Sequence, residues 1–276
     1  MTRTLGLDNY QFYLGPPRPT SRGVFFGANT LVDVEQVEGL TDLTVQFSDQ
    51  QHLLQHGDIP GIHLATAQTT RFALEIRKAG RTDAAWREHI AEVEEGFSVQ
   101  RVDELELHWK FPGETERFAR CRPVRRQRII DPDSELGICA IEVEVRRADP
   151  RWYATALRRT VANRGDFRIV GEGSSEAYPF ITFHTGPNNS RATLYNATTG
   201  TRIDVVNGYG VDKVGYADMD KYVRGDQGFI VWDHNGVNQY PQWRPPRKPF
   251  SIAPGTNQVH LLFAQRVEIE WRDTYL

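Results

Sequence analysis

Sulfur is scarce in this chain. Among 276 residues there are two cysteines and two methionines. Cys121 and Cys139 form neither a Cys-x-x-Cys pair nor a zinc-ligand spacing, which excludes a disulfide-stapled scaffold and a cysteine-built metal centre. Both thiols are expected to be free, buried and structural, as suits a reducing compartment. Long hydrophobic runs are missing as well. No stretch approaches the roughly 18 uninterrupted apolar residues of a membrane-spanning helix. The start, Met1-Thr2-Arg3-Thr4-Leu5-Gly6, lacks the apolar core of a secretion signal, so synthesis in a cytoplasm is expected. Excess charge is absent: 33 basic residues face 36 acidic ones. A net charge of −3 argues against a protein that grips nucleic acid over its whole surface.

Catalytic signatures are absent too. There is no Gly-x-Ser-x-Gly elbow, and Gly173-Ser174-Ser175 lacks its flanks. Neither a His-Glu-x-x-His helix, a phosphate loop, nor a dinucleotide Gly-x-Gly-x-x-Gly occurs. His52 and His56 stand four apart but have no third ligand nearby. Asp212, Asp218, Asp220 and Asp226 match no calcium-loop pattern, and Asp131-Pro132-Asp133-Ser134-Glu135 reads as a turn. Glu268 and Glu270 point to the outside of one strand, where they could flank a substrate only if that face were a cleft. The chain is therefore read as a non-enzyme with no cofactor and no metal.

What is present is alternation. Phe72, Leu74 and Ile76 alternate with polar residues, as do Leu105, Leu107, Trp109 and Phe111, and Ile141, Val143 and Val145. A period of two with one apolar face marks strands buried on one side. In the second of these runs Glu104, Glu106, His108 and Lys110 are assigned to the outer face. Leu43, Val45 and Phe47 suggest a further strand. One helix interrupts them, over residues 82–95: Thr82 caps it, Trp86, Ile90 and Val93 share a face, and Gly96 is expected to end it in the left-handed region. The helix should lie on the sheet as a lid. Residues 1–40, broken by Gly15-Pro16-Pro17 and Pro19, read as an extended arm.

Six arginines, Arg117, Arg120, Arg122, Arg125, Arg126 and Arg128, fall in one segment. They read either as a basic arm that meets an acidic face of a neighbouring subunit or as a solvated hairpin. DNA contact is the weaker reading, since few aromatics interleave. The alternation stops at Asp149-Pro150-Arg151-Trp152-Tyr153, which places a domain boundary near Pro150. Residues 151–177 read as a linker. Beyond it come Phe180–Phe183, Ala192–Tyr195, the turn Thr198-Thr199-Gly200, Ile203–Val206, and a hairpin turning at Asn235-Gly236. Phe250 and Ile252 lead into Pro254-Gly255. Val259, Leu261 and Phe263, then Val267, Ile269 and Trp271, predict two closing antiparallel strands. Tyr240 and Trp243 are candidates for a partner or glycan surface, with core or subunit packing as the alternative.

Tyr178-Pro179-Phe180-Ile181, Tyr195-Asn196, Thr199-Gly200, Ala253-Pro254-Gly255-Thr256-Asn257 and Val267-Glu268-Ile269-Glu270-Trp271-Arg272-Asp273 form a pattern across about a hundred residues. In order and spacing it resembles the galectin-like C-terminal domain of siphophage distal tail proteins (Dit), called minor tail proteins in actinobacterial phages. The resemblance implies a mainly β fold: an N-terminal split-barrel-like domain over 1–150 with one helix, then a galectin-like β-sandwich over 178–276. It further implies a homohexameric ring in the virion tail tip, assembled in a bacterial host. Its partners would be the tail tube protein, the tail-associated baseplate hub protein and a receptor-binding protein or tail fibre. DNA would pass through the lumen without specific binding. The lectin motif does not stand here, because His184 is followed by Thr185-Gly186-Pro187 and Trp271 by Arg272-Asp273. A carbohydrate-binding module for host-surface adhesion is the alternative function.

Overall fold

The computed structural model describes residues 5–16, 23–41, 67–100, 103–129, 136–186, 191–204, 214–220 and 249–276, and the backbone alone of 45–46, 50–51, 58–59, 64–65, 205 and 243–244. The fold is mainly β with one α-helix among the described residues. The chain divides between Thr155 and Ala156 into two compact units.

The first unit begins with β1 (Gln11–Gly15), β2 (Val24–Gly27) and β3 (Val32–Glu38). Four two-residue strands follow, β4 (Val45–Gln46), β5 (Gln50–Gln51), β6 (Asp58–Ile59) and β7 (Leu64–Ala65), pairing β4 with β7 and β5 with β6. Of the expected strand around Leu43–Phe47, Val45–Gln46 is in strand; the rest lies outside the described residues. Next come β8 (Gln68–Arg77), α1 (Asp83–Gly96), β9 (Leu105–Lys110), β10 (Arg117–Ile129), β11 (Ile138–Arg147) and β12 (Trp152–Ala154). The sheet runs β2-β1-β9-β10-β11-β8-β3. Strand β10 bends it: Arg117–Cys121 pair with β9, Arg122–Ile129 pair with β11, and the register slips between Pro123 and Arg125. A proline, which cannot donate to the ladder, sits at that irregularity.

Packing follows the alternation. Phe72, Leu74 and Ile76 of β8 and Ile141, Val143 and Val145 of β11 are buried. At the centre Phe26 lies 5.3 Å from Phe12, 5.2 Å from Phe72 and 5.5 Å from Phe97, ring centroid to centroid. Helix α1 is closed by the Thr82 hydroxyl, which accepts from the Ala85 N–H at 3.3 Å. It rests on the sheet through buried Ile90 and Val93, and the Trp86 indole donates to the Ile76 carbonyl at 3.3 Å.

Gly96 departs from its expected role. It is the last helical residue and has no left-handed φ; the cap is Phe97 at φ −95°. A Cβ at Gly96 would fall inside the van der Waals envelope of Val24 Cγ2. Close approach of the helix to β2, and not turn geometry, demands the glycine. Gly96→Ala should therefore destabilise the protein by about 1–3 kcal/mol despite alanine's higher helix propensity. Adding Val24→Ala should recover part of that loss in urea melts. Equal stability of Gly96→Ala and the parent would refute the packing account.

The second unit contains β13 (Arg158–Gly171), β14 (Phe180–His184), β15 (Ala192–Asn196), β16 (Thr201–Val205), β17 (Val214–Asp218), β18 (Trp243–Arg244), β19 (Gly255–Trp271) and β20 (Thr274–Tyr275). Its strands follow the order β17-β14-β19-β15-β16-β18, with β13 along the other side of β19. Two expectations are corrected here together. The closing segment is one 17-residue strand and not two antiparallel ones. Its antiparallel partner is β13, 14 residues long, which occupies most of the segment 151–177 read as a linker.

Strand β19 serves both half-sheets, pairing β15 over Val259–Leu262 and β14 over Arg266–Glu270. Between them the register against β13 slips from Leu261↔Gly165 to Arg266↔Asn163. Phe263 adopts φ +70° there, so the alternation breaks: Phe263 is half-buried and Ala264 takes the core position. The two halves share one core, in which Ile181, Phe183, Val267 and Ile269 meet Leu194, Ile203, Val259 and Leu261.

Candidate functional site

The six-arginine segment is strand β10 itself, embedded in a sheet and not a free arm. Most of its charge is matched locally. The Arg128 guanidinium meets the Glu94 carboxylate through Nε at 3.0 Å and NH2 at 2.8 Å, tying the strand to α1. Arg126 donates to the Glu94 carbonyl, and Arg125 pairs with Glu144 at 3.2 Å. Arg117 lies over the Trp109 ring and 3.5 Å from Glu114, and Arg120 lies over Tyr153. Arg122 differs. It stands directly opposite Arg146 across the β10–β11 ladder, both are exposed, and neither has an acidic partner among the described residues. Like charges in register repel.

The outer face of β9 is not the solvated face that its charges suggested. Glu106, His108 and Glu116 are all buried. His108 Nε2 lies 3.1 Å from Glu106 Oε2, and Nδ1 lies 3.1 Å from Glu116 Oε1. A row of rings lies along this face: Phe25, Tyr13, His108, Phe118 and Tyr153 follow one another across five strands at 4.7–5.8 Å. The signal was present, since Glu106 and His108 are two apart and must share a face. What the sequence lacked was any sign that this face is buried.

Burial works against charge on His108, but hydrogen bonds and charges from Glu106 and Glu116 outweigh it and hold the imidazole above its ordinary range. Burial likewise raises Glu116, yet the His108 hydrogen bond and the Leu5 and Leu7 amides bring its carboxyl below the usual range. Three grooves lined by described residues of this unit do not open onto the cluster. The most spacious, about 600 Å³, lies beside Tyr10, Phe12, Gly27, Glu35 and Phe111; another of about 490 Å³ follows α1 along Val24, Phe25 and His89.

In the second unit the residues of the sequence pattern come together in a buried polar network. Asn196 donates to the Ser251 carbonyl at 2.8 Å and to Asn257 Oδ1 at 2.9 Å. That same Oδ1 accepts from the Ala253 N–H at 2.9 Å, and Asn257 Nδ2 donates to the Ala253 and Gly255 carbonyls. Asp273 is buried as well and accepts from the Glu172 N–H at 2.9 Å and the Trp271 indole at 3.3 Å. These residues close turns and strand ends. Glu268 is engaged by Arg159, Arg266 and His184.

Tyr240, the Trp243 side chain, the Asn235-Gly236 turn, Asp131–Glu135, His52, His56, Asp212 and Asp226 lie outside the described residues. Among the described residues no cluster of three or more His, Cys, Asp or Glu could hold a metal. Neither Cys121 nor Cys139 forms a disulfide, both are buried, and burial lifts the Cys121 thiol far above its ordinary range.

No protein-family model matches the chain, and no curated protein matches its sequence. Solved structures do match its fold. The crystal structure of the Dit protein of phage SPP1, described as a paradigm of the hub adsorption apparatus in phages infecting Gram-positive bacteria, superposes with TM-score 0.63 at 14% identity. The match covers 89% of this chain and 94% of that one. A chain of the phage P2 baseplate in its activated conformation with Ca matches with TM-score 0.51 at 12% identity, over 95% of this chain and 97% of that one.

Proposed function

We propose that this protein is a structural, non-enzymatic component of a phage tail tip, a distal tail protein whose copies form a homohexameric ring. The observation that carries this reading is the end-to-end match of both units to the SPP1 Dit fold, with little of either chain left over. In this reading the first unit builds the ring, stacks on the tail tube and meets the tail-associated baseplate hub protein. The galectin-like second unit faces outward as the attachment point for a fibre or receptor-binding protein. DNA crosses the lumen without specific contacts, in keeping with the net charge of −3.

Cyclic closure repeats one heterologous interface. Strands β2 and β3 end the first sheet, and unpaired edges of this kind are covered when a neighbour docks. Within the basic segment we propose Arg122, together with Arg146 opposite it, as the pair suited to an acidic neighbour. We place the boundary between ring and outward domains at Thr155/Ala156, not across a long linker.

Mass in solution with a negative-stain image tests this directly. Six copies of a 31.5 kDa chain, about 189 kDa with a central hole, are expected, alone or with the tail tube protein. A species that stays at 31.5 kDa at high concentration, with that partner present, would overturn the ring.

A further inference from the structure

Residues 5–8 are fastened to the first unit by one buried carboxylate. Glu116 Oε1 accepts from the Leu5 N–H at 3.0 Å, and Oε2 accepts from the N–H groups of Leu5, Gly6 and Leu7 at 3.1, 3.2 and 3.5 Å. Three successive amides turned toward one anion make a nest, which needs a left-handed residue; Gly6 supplies it at φ +71°. Lys110 Nζ donates to the Leu7 carbonyl at 3.1 Å, and the Leu7 side chain is buried. Behind Glu116 stand His108 and then Glu106, each linked at 3.1 Å.

Both nitrogens of His108 face carboxylate oxygens. A neutral imidazole donates from one nitrogen only and would turn a lone pair toward the other carboxylate. The arrangement therefore calls for an imidazolium between two carboxylates.

We propose that Glu106, His108 and Glu116 form a proton-operated latch that holds the N-terminal segment, residues 5–8, on the first unit and releases it when His108 or Glu116 changes protonation. The latch stands independently of the tail-tip reading. His108, raised by its two carboxylates, contributes stability that is complete below the ordinary imidazole range and fades as pH rises through the higher folded value. Glu116, lowered by His108 and the arm amides, contributes stability that is complete above the ordinary carboxylate range and fades as pH falls through the lower folded value. The latch is thus closed around mildly acidic to neutral pH and opens on both sides. Around the cluster stand Tyr13 on β1, Lys110 on β9, Arg120 on β10, Tyr153 on β12 and Asp8 on the segment itself. Asp8 is the sole carboxylate of these five, and it is exposed and bonded to Asn29.

Hydrogen exchange of the full-length protein tests the latch, with amides of Leu5, Gly6 and Leu7 read against Ile141 and Val143 of β11. In Glu116→Gln and His108→Gln the arm amides should exchange roughly tenfold to a hundredfold faster, with β11 unchanged. Unchanged arm protection would overturn the proposal. If the variants lose β11 protection as well, the unsubstituted protein decides. Arm protection lost at a milder pH than β11 protection, after correction for intrinsic exchange, supports the latch; simultaneous loss overturns it.

Discussion

Phe26→Ala is expected to lower the unfolding free energy of the first unit by about 3–5 kcal/mol, the range for deleting a fully buried aromatic ring. Phe26 is fully buried and touches rings from three other places in the chain: Phe12 of β1, Phe72 of β8 and Phe97 at the end of α1. Its removal empties the point where the sheet and the helix are joined, and the rigid backbones around it cannot close the gap. Urea unfolding followed by far-UV circular dichroism gives the number. The adjacent Phe25, 44% exposed, is the control and should cost less than half as much when truncated. Equal losses at the two positions would mean that the aromatic cluster does not hold this unit together.

The second large effect belongs to Asn257. Replacement by alanine strands the Ala253 N–H and one Asn196 amide proton, both of which now share Oδ1, and leaves the Ala253 carbonyl without its side-chain donor. Each buried group left unpaired costs about 1–3 kcal/mol, so a total loss near 3–5 kcal/mol is expected. Asn257→Asp should fare no better, because a carboxylate would replace Nδ2 beside two carbonyl oxygens. Because Asn196 bonds Asn257 directly, the losses should be strongly non-additive in a double-mutant cycle with Asn196→Ala. Additive losses would show that the two residues act separately and that the network is only a proximity.

These two residues show how differently the parts of the fold could be read from the chain. The burial of Phe72, Leu74 and Ile76, or of Val267, Ile269 and Trp271, was legible because a strand's two faces alternate and one of them was uniformly apolar. Asn196 and Asn257 stood out by position in a pattern. Their work, closing the Ala253–Gly255 turn against β15, became visible only when strands sixty residues apart were brought together. The six arginines were conspicuous by number, yet their acidic partners Glu94, Glu144 and Glu114 come from α1, β11 and the turn before β10. Clustering in sequence says nothing about what faces the cluster across a sheet.

By itself the sequence determined the fold class, helix α1 with its Thr82 cap, and the inner face of most strands, because these depend on residues within a turn or two of one another. Only the tertiary structure decided the rest. It made the closing segment one strand bent at Phe263, and gave that strand a partner in residues 158–171. It also turned Glu106 and His108 from surface charges into a buried chain with Glu116, and found for Gly96 a reason in Val24. The physical reason is common to all of these. Periodicity reports which side of an element is apolar, whereas pairing, second layers and close approaches depend on what a distant part of the chain places against it.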